Sequence, residues 1–384
     1  VAFVSLVVFP FKDEDPATVA ANLRTAAAHA RITEVWAVAA PDSPHTEQVT
    51  AFAEDISARS AKRIRILPQE RIGRFRPGKG DAMNTAIAAA ESEEWDRAHF
   101  FDADITNFDH SWIDGAEDAA DRGYGVVRHR FPRAATDAMI TWLVTRPSLA
   151  LLFPGTFLPR LDQPLGGELL LTRPALERLA RSELVRDRSD WGIDTVITYA
   201  TSVMGLGLYE HHVADGKRHS LYGSLEELRP MVIECLAAAV SLGGLPGPGD
   251  GDRHGSDRPQ PVPPDLLTTV AYDFDRTLGL LDAPLAPAER DLVAGMDDPG
   301  RILLMIDPAR PRPELMDAAT WLDTLRFLHR EFVLGIPAWE SLSFRLWLHR
   351  VIAYTREWVP NGYEAAIGHL EGTIRDIEAL ADHH

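Results

Sequence analysis

The chain has 384 residues, a formal net charge of −18 and one cysteine, with 45% hydrophobic and 25% charged residues. These are the proportions of a globular protein too long for one ordinary domain. The acidic surplus, with no clustered basic face, argues against a nucleic-acid partner, and a lone cysteine excludes an intramolecular disulfide. Cys235 sits in the apolar run 231–236 and reads as a buried, inert thiol. Residues 1–11 are apolar but carry no basic leader, and they fall short of the roughly 20 residues a membrane span needs. They read as a buried first strand, and a cytoplasmic location is expected.

In chain order, strands are expected over 5–11, 34–40, 63–67, 98–102, 125–129 and 207–211, and helices over 18–28, 47–59, 81–91, 111–122, 137–152 and 195–200. Such alternation predicts an α/β protein whose largely parallel sheet is covered by helices. The Gly- and Pro-rich stretch 243–264 reads as a linker or mobile loop between a first domain, 1–242, and an all-helical one, 265–384. In the latter, Trp321, Leu325, Leu328 and Phe332 recur at helical spacing, as do Tyr363, Ile367, Leu370, Ile374 and Ile377. These stripes read as core or interface. Left unburied they would form too large an apolar patch for a monomer, so packing on the first domain and a homo-oligomer are expected.

The chemistry-bearing runs fall in the loops of the first domain. Asp102 and Asp104 close an apolar run as Asp-x-Asp, which brings carboxylates to the rim of a sheet, where open α/β folds bind ligands. Hard divalent cations take one or two carboxylates plus substrate phosphates, so the pair fits a diphosphate-bearing substrate; alone, it also reads as a solvated turn. Residues 69–80, QERIGRFRPGKG, set Gly73, Gly78 and Gly80 among Arg71, Arg74, Arg76 and Lys79, just ahead of a helix. That is a fitting place for a diphosphate, and equally a basic surface loop. His219 is a candidate third metal ligand, since imidazole suits Mn²⁺ or Co²⁺. Asp194 opens a helix, where its charge is favoured in any case. Arg133, ahead of a cap at Thr136 and Asp137, offers a fork for a carboxylate or is simply solvated.

The order of these runs is more specific than any one of them. SLVVFPFK (5–12), RPGKGDAMNTA (76–86), HFFDADIT (99–106), VRHRFPRAATDAMITW (127–142), QPLGGELL (163–170), RSDWGIDT (188–195) and GKRHSLYG (216–223) together resemble the mannosylglycerate synthase family of GT-A-type glycosyltransferases. The resemblance implies a GT-A-type nucleotide-binding sheet flanked by helices, followed by a helical C-terminal region. It implies a retaining, metal-dependent transferase that moves mannose from GDP-mannose to D-glycerate and makes the compatible solute mannosylglycerate. A transferase using GDP-glucose or another sugar nucleotide to make glucosylglycerate or a similar glycoside is the alternative.

Carried over by motif, Asp104 and His219 would hold a divalent cation (Mg²⁺, Mn²⁺ or Co²⁺). Asp102, Asp194 and Lys79 would serve catalysis and the donor, with Gln69, Leu165, Tyr222 and Met231 as further donor contacts. Arg133, Asp137 and Thr141 would hold the acceptor. Retention would proceed through a covalent intermediate or by front-face attack, of which the second is favoured because no free nucleophile is evident. A nucleotidyltransferase is disfavoured because no Gly-rich loop follows the first strand, and a non-catalytic sugar-nucleotide sensor has no need of Asp102, Asp104 and His219 together.

Overall fold

The computed structural model describes residues 3–219, 223–249, 253–309 and 315–381. Eight strands form one sheet: β1 Ser5–Phe11, β2 Ile32–Ala39, β3 Arg63–Pro68, β4 Arg97–Phe100, β5 Val126–Arg130, β6 Leu169–Thr172, β7 Leu208–His212 and β8 His254–Ser256, in the order β3-β2-β1-β4-β6-β5-β7-β8. All neighbours pair in parallel except β6, which runs antiparallel to both β4 and β5. The expected α/β class is the one observed. β1 is apolar after Ser5 and almost wholly buried, as a strand covered on both faces must be. β2 and β3 extend from one side of it and β4 from the other, so the carboxyl ends of β1 and β4 flank a topological switch point, where such sheets open a crevice for ligands.

Two elements differ from the sequence reading in ways that shape the site. β4 stops at Phe100, two residues before the expected end. Its last pairs are Phe100 with Val8 and Phe100 with Leu169, after which Phe101 N–H still reaches Val8 O at 3.0 Å and the chain turns. Phe101 packs on Phe108 with ring centroids 4.7 Å apart, which anchors the turn while Asp102 and Asp104 leave the ladder. Within 243–264, read as linker, His254–Ser256 instead forms the edge strand β8, pinned by Asp257, whose carboxylate accepts from Tyr209 at 2.6 Å and from His212 N–H at 2.9 Å.

The chain divides into two compact units, and neither is one stretch of sequence. The sheet unit comprises Val1–Pro132, Asp162–Ser220 and Pro246–Pro261; the helical unit comprises Arg133–Leu161, Leu221–Leu245 and Val262–His384. Residues 133–161 belong with the helical unit for a visible reason. The helix expected over 137–152 begins irregularly, with Ala138 at φ +55° and a π-helical turn at Thr141–Thr145 before the α-helix Arg146–Leu152. Pro147 has no N–H to offer Leu143 O, and Trp321 Nε1 donates to that carbonyl instead, at 2.7 Å. Tyr354 donates to Ala135 O at 2.8 Å and Trp347 to Met139 O at 3.4 Å. Aromatic donors from Ala318–Glu331 and Pro337–Glu357 thus hold the irregular stretch by its carbonyls.

The apolar stripes are mostly covered within this one chain, with Tyr363 and Ile367 half-buried. Trp321, Leu325, Leu328 and Phe332 are buried, as are Leu370, Ile374 and Ile377, the last two clustering with Ala150 and Leu322. They therefore no longer argue for a subunit interface. Cys235 is buried as expected. Among the described residues no helix is long and apolar enough to cross a membrane.

Candidate active site

The site of the sheet unit is built on Asp102. Lys79, the first residue of the helix Lys79–Ser92, lies 3.2 Å from Asp102 Oδ1, and Lys217 lies 2.5 Å from Oδ2. Each ammonium holds a second carboxylate as well. Lys79 is 3.2 Å from Asp194 Oδ2 and 5.4 Å from the Trp191 ring centroid, and Lys217 is 2.6 Å from Glu168 Oε1. Burial would lower both lysines, yet the facing carboxylates outweigh it and hold them above the ordinary ammonium range. Burial would likewise raise Asp102, but Lys217 and Lys79 hold it well below the usual carboxylate range. Glu168 moves the other way, raised by burial and by the charge of Asp102.

Backbone geometry explains why these groups converge. A Cβ at Gly167 would lie 2.2 Å from Lys79 Nζ and 2.6 Å from Asp102 Oδ1, so glycine here leaves room for the two side chains to meet. At Gly80 a Cβ would lie 2.4 Å from Arg188 O; its absence lets the helix carrying Lys79 dock on 187–189. Asn84 on the same helix donates to Val185 O at 3.0 Å and Arg188 O at 3.2 Å, and Asp81 accepts from Gly73 N–H at 2.8 Å. Arg128 on β5, fully buried, donates to Gly166 O and, at 3.1 Å, to Asp194 O. One guanidinium therefore ties the loop of Glu168 to the helix Ile193–Val203 that carries Asp194.

The sequence read the basic loop 69–80 as four cations around a phosphate, and the structure narrows this. Arg71 pairs with Asp81 at 2.7 Å and Arg74 pairs with Asp187, so both hold the loop together. Arg76 donates to Pro77 O at 3.2 Å, and Lys79 joins the Asp102 cluster. Gln69 follows β3, its N–H on Ala39 O at 2.9 Å, and Leu165 is half-buried in the loop before β6.

Asp104 and His219 come together, Oδ2 to Nδ1 at 3.9 Å. Asp104 Oδ1 is buried and has no hydrogen-bond partner among the described residues, which marks it as a ligand-facing oxygen. Among those residues no group of three or more His, Cys, Asp and Glu side chains forms a metal cluster. A pair of protein ligands, one oxygen and one imidazole nitrogen, nonetheless fits a cation completed by substrate phosphates and water. Asp194 Oδ1 is also buried and unpartnered among the described residues.

In the helical unit, Arg133 and Asp137 form an ion pair at 2.9 Å, and Thr141 is buried at the head of the π-helical turn. Asp137 does not cap a regular helix as expected; its Oδ1 accepts from Ala138 N–H at 2.6 Å. Met231 is half-buried on the helix Arg229–Ser241. Tyr222 lies outside the described residues. Three residues of the cluster and its support were not singled out from sequence: Lys217, Glu168 and Arg128. All lie inside runs that carried the family resemblance, but single-residue chemistry gave each no distinguishing mark.

Residues 5–241 match the family model "Mannosylglycerate synthase, GT domain", and residues 266–374 match "Mannosylglycerate synthase C-terminal domain". The chain belongs to the mannosylglycerate synthase family. A mannosylglycerate synthase of Rhodothermus marinus is 44% identical over 368 residues, covering 96% of this chain and 92% of that protein. One from Selaginella moellendorffii is 40% identical over 393 residues, covering 99% and 93%. Among solved structures, glucosyl-3-phosphoglycerate synthase of Mycobacterium tuberculosis aligns with a TM-score of 0.49 at 21% identity, over 64% of this chain and 81% of that one. The first matched model is a GT domain, the mixed sheet flanked by helices and the helical C-terminal region are as expected from sequence, and the chain is a glycosyltransferase of the hexosyltransferase class.

Proposed function

We propose that the chain transfers mannose from GDP-mannose to D-glycerate with retention of configuration, making mannosylglycerate in a metal-dependent reaction. The observation that carries this reading is the shared grip of Lys79 and Lys217 on Asp102 beside the Asp104 and His219 pair. The two ammoniums, each shared between two carboxylates, hold Asp102 and its neighbours in place and offer N–H donors beside the point where a leaving diphosphate would develop negative charge. Asp104 and His219 would hold the divalent cation, which when bound supplies Lewis-acid stabilisation of the departing diphosphate oxygens.

Lys79 sits at a helix N-terminus, where the helix dipole adds to the positive potential around its ammonium. Asp194, with Oδ2 taken by Lys79 and Oδ1 unengaged among the described residues, is placed to accept a hydrogen bond from a donor-sugar hydroxyl. Asp102 and Glu168 are held by ammoniums, which makes either a poor nucleophile and favours front-face attack over a covalent intermediate. Gln69 and Leu165 would add further donor contacts in the sheet unit. Arg133, Asp137 and Thr141 receive glycerate, whose carboxylate matches the guanidinium fork of Arg133. A cytoplasmic site of action fits this chemistry.

The test is a donor–acceptor matrix with product identification: GDP- and UDP-sugars against glycerate, lactate, glycolate and 3-phosphoglycerate. The reading expects GDP-mannose with D-glycerate to give the fastest turnover. A faster GDP-glucose reaction would replace the sugar, and turnover confined to 3-phosphoglycerate would replace the acceptor.

A further inference from the structure

Lys217 and His219 are spaced as Asp102 and Asp104 are, two residues apart, and each of the former meets one of the latter. Such matching requires the two segments to be held in register, yet 216–219 belongs to no strand of the sheet. The register comes from hydrogen bonds made by the two residues after the acidic turn. Asn107 Nδ2 donates to Gly216 O at 2.9 Å, and Asn107 Oδ1 accepts from Arg218 N–H at 2.9 Å. One side-chain amide thereby straddles Lys217 and engages the backbone on both sides of it, as a paired strand would. Thr106 adds its N–H to Arg218 O at 2.8 Å and its hydroxyl to the same oxygen at 3.0 Å. From the other side, buried Asn22 donates to Ala103 O at 3.1 Å and fixes the turn itself.

The geometry points to Asn107 as a positioning residue of the transferase site: its amide clasps the 216–218 backbone so that Lys217 is delivered to Asp102 and His219 to Asp104 as one unit. The inference rests on the proposed metal-dependent transfer for its consequence, but not for its geometry. An amide is the side chain for this task because it carries a donor and an acceptor on one planar group, matching the carbonyl and N–H of a peptide segment. Asn107→Asp keeps the acceptor for Arg218 N–H and sets a carboxylate oxygen against Gly216 O. Asn107→Ala removes both bonds.

Two readouts on the full-length chain separate the clasp from the functional reading. The first is peptide-resolved acetylation of lysines by acetic anhydride, which needs no substrate or metal. The clasp expects Lys217 to be slow to react in the unaltered protein and at least about tenfold faster in Asn107→Ala and Asn107→Asp, with Lys12 and Lys62 unchanged. The second is Mn²⁺ affinity in the presence of GDP, expected to weaken about 10- to 100-fold in both variants, as for loss of a residue that orients a metal ligand. Unchanged Lys217 reactivity in both variants would overturn the clasp, as would a uniform rise at every lysine, which reports unfolding. Failure of the unaltered protein to bind Mn²⁺ with GDP would count against the proposed function, while the acetylation result would still decide the clasp.

Discussion

In the sheet unit one carboxylate, Asp102, is shared by two buried ammoniums, each of which holds a further carboxylate. In the helical unit buried cations are handled singly. Arg350 donates to Met316 O at 3.1 Å and bonds His369 Nε2 at 3.0 Å, and Arg146 donates to Pro159 O at 2.8 Å and pairs with Glu371 at 3.0 Å. Taking charges out of water costs several kcal/mol per ion unless partners compensate. A cation wrapped by carbonyls and one partner is accounted for by structure. In the network converging on Asp102 each ammonium is shared between two carboxylates, and beside it Asp104 and Asp194 each keep a buried oxygen bonded to none of the described residues, the features on which the proposed ligand site rests. Both units bury basic groups, and they differ in how those groups are partnered.

Substitutions in the two regions should break different properties. Asp104→Ala and His219→Ala should abolish measurable turnover while circular dichroism and the melting transition stay near those of the unaltered protein; retained turnover in either would remove it from the metal pair. Lys79→Ala and Lys217→Met should each lower kcat by about 10²- to 10³-fold, the scale of losing one preorganised donor at a developing anion. Arg350→Met should do the reverse, leaving kcat nearly intact and lowering unfolding free energy by about 1–3 kcal/mol, because a buried carbonyl loses its donor. Urea titrations and steady-state kinetics on the same preparations would show whether the two regions separate in this way.

Arg133→Lys sharpens the comparison from the helical side, where Arg133 is paired with Asp137. Lysine keeps the charge and loses the fork. The KM for glycerate should rise about tenfold, about 1.4 kcal/mol, with little change in the KM for the donor. A donor effect without an acceptor effect would move the acceptor site elsewhere.

The smallest expected effect is on acid stability. Burial pushes His329, bonded to Ser148 at 2.8 Å, down to about 4 from an ordinary 6.5. A group depressed in the fold contributes in full above its unfolded value and loses that contribution as pH falls through the folded one. The helical unit should therefore weaken between pH 6.5 and 4. Glu117, in the sheet unit, is raised by burial but more strongly lowered by His99, Ser5 and Arg97, to about 2 from 4.5, so its contribution fades only between pH 4.5 and 2. His329→Gln should reduce without removing the fall of the urea midpoint over the higher window, since burial and Arg350 also lower His369 to about 4, and should leave the lower window unchanged.

Much of the fold was legible because strand-length apolar runs alternate with helical ones, and β1, β2 and β3 start or end within two residues of expectation. The misreadings have a common origin in long-range partners. The irregular start at Thr141–Thr145 depends on Trp321 and Pro147 together, and β8 depends on Asp257 meeting β7, neither of which local periodicity reports. At the site, Asp102 and Asp104 announced themselves by spacing at a strand end, as Lys79 did by its place before a helix. Lys217 and Glu168 did not, because a lone lysine and a lone glutamate acquire meaning only once β6 and 216–219 are brought to the end of β4.

The central claim is that this cluster activates a diphosphate leaving group with a divalent cation. The most direct test incubates the full chain with GDP-mannose and D-glycerate, once with Mn²⁺ and once with excess EDTA, and identifies the glycoside and its anomeric configuration by NMR. The account predicts a retained α-mannosyl product with Mn²⁺, none with EDTA, and recovery when Mn²⁺ is restored. Undiminished product formation in EDTA would contradict it.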